Sequence, residues 1–128
     1  MNETTCLRWA AILGLSGISI GALGAHALEA ILTEQQLNSL EVAVRYQMYH
    51  AIALLVLGIS GKSLRFRWTA HLFAWGSLLF SGSIYLLIAF KHFQWPGSFL
   101  GPFTPIGGLL LIVGWLMLFP VHKVLPKG

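Results

Sequence analysis

Charge is what this chain has least of. Only 9% of its 128 residues are Asp, Glu, Lys or Arg, against roughly a quarter in globular domains. A surface built from so few charges suits lipid rather than water. All four acidic residues (Glu3, Glu29, Glu34 and Glu41) fall in the first third. No later segment carries a carboxylate, which argues against a proton relay through the membrane, since that needs an ionisable group inside it. The single cysteine, Cys6, excludes an intrachain disulfide and any CxxC pair. It also precedes the first apolar run, so a lipoprotein cleavage signal does not fit. Phosphate-loop and HExxH patterns are missing as well. The net charge of +4 comes without a basic run between aromatic residues, so no nucleic-acid partner is expected.

What the chain has is apolar length. Apolar residues make up 56% of it. They fall into four segments, predicting spans at about 9–28, 45–61, 68–90 and 104–120. The fold class expected is all-α, a four-helix transmembrane bundle in one domain over 1–128. Arg8, the first run and Ala25-His26-Ala27 imitate a cleaved signal peptide. The run is long for that purpose, and its glycines suit a retained, packed helix.

Glycine marks the helix faces. Gly14, Gly17, Gly21 and Gly24 are spaced three, four and three residues apart, so they share one face of the first helix. Gly107 and Gly114, seven apart, make a second face on the fourth. Small residues of this kind let helix backbones approach closely in lipid. These six are the expected packing residues.

The second apolar run is short. Thr33-Glu34-Gln35-Gln36 has the form of a capping box, with Leu37, Leu40 and Val44 following at helical spacing. The reading is an amphipathic helical extension before the second span, lying at the membrane surface. A helical connector packed on the bundle is the alternative. Trp95-Pro96-Gly97 and Gly101-Pro102 signal a turn, with Trp95 and Phe99 suited to a headgroup boundary. Thr104 is expected to cap the fourth helix, Pro105 to open it and Pro120 to close it. Arg8, Lys62, Arg65, Arg67, Lys123 and Lys127 lie on one side of this topology and Arg45 and Lys91 on the other. That bias puts both termini in the cytoplasm.

Polar residues in lipid must turn inward and meet partners. His26, Tyr46, Gln47, Tyr49, His50, Ser81, Ser83, Tyr85 and Thr104 are expected to gather in the outer half of the bundle. They read either as a small-molecule site (for a lipid, quinone or haem-like ligand) or as hydrogen-bonded glue between helices. A metal or haem held by His26, Glu29 and His50 lacks further ligands, so no metal and no cofactor is expected. Ser81-Gly82-Ser83 lacks a carboxylate to orient a histidine, so no catalytic residue is expected either.

Four stretches carry a family resemblance: Gly21-Ala22-Leu23-Gly24-Ala25-His26, Tyr46-Gln47-Met48-Tyr49-His50-Ala51, Phe80-Ser81-Gly82-Ser83-Ile84-Tyr85, and Thr104-Pro105-Ile106-Gly107-Gly108 with Gly114-Trp115. In this order they resemble the YgdD/YwdK-like family of small bacterial membrane proteins, which has animal relatives. The resemblance covers nearly the whole chain. It implies several transmembrane helices, a bacterial inner membrane, and no established activity. With abundant packing surface and no acid within the spans, the expected function is a non-enzymatic packing, accessory or scaffold protein. Its expected partners are membrane lipids and a membrane protein or second copy docking on the glycine faces. The alternative is a small-molecule binder or transporter using the polar cluster.

Overall fold

The computed structural model describes residues 1–62 and 65–119. The described residues form four α-helices: α1 Glu3–Ala25, α2 Glu34–Ile59, α3 Arg67–His92 and α4 Phe103–Leu116. A short 3₁₀ turn, Ser98–Leu100, leads into α4. All four helical segments are long and apolar enough to cross a membrane, the fourth counted from Ser98 to Leu116. The first three, at 23, 26 and 26 residues, run about 34 to 39 Å. The hydrocarbon core to be crossed is about 30 Å thick. The architecture is an all-α transmembrane bundle.

The outer surface of the bundle is apolar as well as its core, where Leu13, Leu54, Phe73 and Leu111 are buried. Leu15, Ile18, Ile59, Trp68 and Leu109 lie on the outer surface. The interior holds Ala43, Ala70 and Ala74 together with Gln47, Thr69, Ser77 and Ser81. Water would not tolerate so large an apolar exterior. Lipid does, and polar groups are then driven inward.

Sequential antiparallel packing orders the helices. Side chains of α2 meet α1 in reverse register, Leu40 at Gly24, Val44 at Gly21 and Met48 at Gly17. The same reversal joins α3 to α4, where Phe80 meets Gly107 and Phe73 meets Gly114. Helices α2 and α3 pack together at the centre. The flanking helices also reach across: Trp9 of α1 meets Trp75 of α3 with ring centroids 5.6 Å apart. Trp115 of α4 bonds His50 of α2.

Local signals set the helix ends. Thr33 caps α2 through a complete capping box, with Gln36 N–H donating to Thr33 Oγ1 (3.2 Å) and Thr33 N–H to Gln36 Oε1 (2.9 Å). Thr33→Ala is expected to cost about 1 kcal/mol of stability, read from thermal unfolding in detergent. From this cap α2 runs as one helix, and its first turns bury Leu40 and Ala43 within the bundle. Gly61, at φ +68, ends the segment in the left-handed conformation that glycine adopts without a Cβ clash.

The first helix starts at Glu3 and stops at Ala25, because Leu28 N–H turns back to Leu23 O (2.8 Å) and closes it. Helix α4 starts at Phe103, not Thr104, with Pro102 at its N-cap and no side-chain cap. The Thr104 hydroxyl is spent on Ser83 instead, at 2.6 Å. Pro105 sits where the missing N–H has no helical partner to lose. Pro120, Lys123 and Lys127 lie outside the described residues.

Candidate functional site

Gln47 stands at the midpoint of α2 and is 3% exposed. Its Nε2 donates to Leu13 O and to Ser16 Oγ of α1, both at 2.8 Å. Its Oε1 accepts from Tyr85 OH of α3, also at 2.8 Å. One amide therefore ties three helices together and uses both its donors and its acceptor. Gly17 makes this reach possible. A Cβ there would meet Met48 Sδ at 2.8 Å and Gln47 Nε2 at 3.3 Å. Ser16 contributes its own share, donating to Ile12 O at 2.7 Å and so presenting its oxygen to Gln47.

His50 lies one turn further along α2 and is 4% exposed. The Trp115 indole donates to its Nε2 at 3.0 Å. An indole N–H only donates, so Nε2 is the acceptor and the proton resides on Nδ1. Nδ1–H donates to Tyr46 O at 2.7 Å. Phe73 packs on this pair, with centroids 5.2 Å from His50 and 5.0 Å from Trp115. The imidazole is neutral, in one tautomer, and its lone pair is taken. A metal or haem iron would first have to displace the tryptophan.

Two serines complete the cross-links. Ser81 Oγ donates to Ala43 O at 2.7 Å, joining α3 to α2. Ser83, bonded to Phe80 O at 3.0 Å and to Thr104, joins α3 to α4. Among the described residues, the only buried side-chain polar atom without a partner is Ser77 Oγ.

The predicted cluster is thus partly assembled and partly not. Gln47, Ser81, Ser83, Tyr85, His50 and Thr104 turn inward, but in separate cross-links rather than around one cavity. Gln47 and His50 lie near the midpoint of α2, while Ser81, Ser83 and Tyr85 lie past the middle of α3 and Thr104 in the first turn of α4, toward the end of the bundle where α2 begins. His26 is exposed beyond the end of α1. In the antiparallel register it is about 18 Å along the bundle from His50. Tyr49 is 55% exposed and faces outward. Tyr46 is half-exposed, its ring on Phe80 at 5.1 Å. Among the described residues no three of His, Cys, Asp and Glu come together.

The packing glycines divide as well. Gly17, Gly21 and Gly24 receive α2 side chains, and Gly107 and Gly114 receive α3. Gly14, which is half-buried, has nothing within 4 Å of a Cβ. The stripe turns away from α2 at that level, where Leu13 and Gly17 make the contact instead. Gly76, Ser16 and Trp115 were absent from the expected set, although each is central here. Trp115 had a signal, its place beside Gly114 in the fourth motif. Ser16 had none, since serines at helical spacing commonly bond their own helix, as Ser19 does.

Comparison with known sequences places these features in a family. The family described as "Protein of unknown function (DUF423)" matches residues 20–108. The chain belongs to this family. That stretch contains Gln47, His50, Ser81, Ser83, Tyr85 and Thr104. A UPF0382 membrane protein of Staphylococcus haemolyticus is 44% identical over 110 residues, covering 84% of this chain and 86% of the relative. A UPF0382 membrane protein of Schizosaccharomyces pombe is 37% identical over 107 residues, covering 83% and 91%. The UPF0382 inner membrane protein YgdD of Escherichia coli is 34% identical across 100% of this chain and 97% of its own. No solved structure matches.

Proposed function

We propose that the chain is a non-enzymatic accessory or scaffold protein of a bacterial inner membrane. The observation that carries this reading is Gln47, whose hydrogen-bonding groups are all spent on Leu13, Ser16 and Tyr85. A side chain so engaged serves to hold α1, α2 and α3 together. The His50 imidazole is engaged in the same way. Five of the six expected glycines are occupied by neighbouring helices, so a partner docks instead on the outward faces of α1 and α4. Gly14 lies on α1 with open space beside it. Arg8, Lys62, Arg65 and Arg67 favour a cytoplasmic position for the end of the bundle that carries the N-terminus. At the other end the first turn of α2 then lies at the outer headgroup level.

Native mass spectrometry of the tagged chain, extracted gently from its own membranes, tests the proposal. A stoichiometric protein partner, lost on Gly14→Leu or on an equivalent outward substitution in α4, is the expected result. A chain that leaves the membrane with no protein partner overturns it. A second reading draws on one feature, a groove of about 370 Å³ between α2 and α4 lined by Tyr46, His50, Phe80 and Trp115. It requires a discrete non-lipid mass on the chain that disappears in His50→Ala.

A further inference from the structure

The first half of α2 separates two grooves of opposite character. On the α1 side, Glu29 and Glu41 line a groove of about 310 Å³. On the α3 and α4 side lies a larger one, about 510 Å³, with no carboxylate in its wall. Glu34 does not line it. Its polar end is made by Lys91, the last cation of α3, with the amides of Gln35 and of Asn38, which also borders the acidic groove. Its deeper wall is Val42, Ile84 and Ile88. No ion pair engages Lys91 among the described residues, where the one salt bridge joins Arg45 to Glu41. The Gln35 and Asn38 side chains receive no hydrogen bond there either, although the neighbouring Gln36 amide is consumed by the Thr33 capping box.

Depth and charge together select the occupant. Lys91 adjoins the turn where Trp95 and Phe99 gather on Phe90, at centroid distances of 5.5 and 6.1 Å. Aromatic residues in such a turn mark the membrane–water boundary. A ligand lying here must carry negative charge and hydrogen-bond acceptors at the boundary and hydrocarbon below it. We infer that this groove is a binding site for an anionic glycerophospholipid. The phosphate sits against Lys91 and the Gln35 and Asn38 amides, and one acyl chain runs along Val42, Ile84 and Ile88. A zwitterionic headgroup would bring its own cation close to the ammonium and lose that attraction. This site is independent of the protein partner proposed above, because it is read from a lipid ratio and not from captured protein.

The full chain is reconstituted in vesicles of equimolar phosphatidylcholine and phosphatidylglycerol, re-extracted in mild detergent, and its bound lipids are weighed by native mass spectrometry. Phosphatidylglycerol is expected to be retained about fivefold over phosphatidylcholine, the advantage conferred by one interfacial lysine. Lys91→Gln is expected to bring the ratio close to one and Lys91→Arg to preserve it. Val42→Trp, at an outward position, is expected to fill the apolar wall and lower retention of both lipids. Arg45→Gln, on a cation outside the groove, is expected to leave the ratio unchanged. Lys91 is exposed, and unaltered helical circular dichroism confirms that its variants remain folded. Equal retention by the unaltered chain overturns the inference, as does an enrichment that survives Lys91→Gln. Displacement of the lipid by glycerol 3-phosphate alone also overturns it, because the acyl chain would then contribute nothing.

Discussion

Gly107→Ala is expected to be the most damaging single-methyl substitution in the chain. A Cβ at Gly107 would run into the backbone nitrogen of Phe80, its Cα at 2.8 Å and the carbonyl oxygen of Gly76 at 2.9 Å. These are backbone atoms of a facing helix, so no rotamer change relieves the clash. Helices α3 and α4 would have to separate along the contact that Gly76, Gly107 and Gly114 create. Overpacking on this scale costs about 3 kcal/mol. The loss also breaks the Ser83–Thr104 bond, which depends on the same close approach. Thermal unfolding in detergent is expected to register it as a large drop in midpoint. Gly14→Ala supplies the contrast. Nothing lies within 4 Å of that position, and the methyl group should be neutral or slightly stabilising through helix propensity. Equal effects at the two glycines would contradict the packing described.

Gln47→Leu is the second. Leucine keeps much of the volume but removes the two bonds to α1 and the one to Tyr85. Interhelical hydrogen bonds in membranes average about 0.6 kcal/mol each. The Tyr85 hydroxyl is then left inside the bundle without its acceptor, and that desolvation adds to the loss. The expected destabilisation is about 2 kcal/mol. If Gln47 served a ligand instead, the substitution would cost binding and leave the apo chain as stable as before, or stabilise it.

The sequence made four spans legible because charge interrupts the apolar runs at Arg45, Lys62, Arg67 and Lys91. Thr33 was legible because a capping box is a local device, complete within four residues. The polar residues that turn inward were legible as a class, since lipid leaves them no alternative. Their pairing was not. Whether Gln47 meets Ser16 depends on the register between α1 and α2, and that is set by which glycine receives which α2 side chain. Helical spacing puts Gly14 on the same stripe as Gly17, yet only Gly17 is covered by α2. Thr104 has the form of an N-cap and a proline behind it. A facing serine outcompetes that role, which no pattern within α4 reveals.

A double-mutant cycle between Gln47→Leu and Tyr85→Phe, followed by unfolding in detergent, tests most directly whether the polar core is what holds this bundle together. The bond between them spans α2 and α3 at 2.8 Å. Once either partner is removed, loss of the other is expected to cost measurably less, with a coupling of about 0.6 kcal/mol or more. Strictly additive losses would mean that the two residues act separately, and would contradict the structural role assigned to them here.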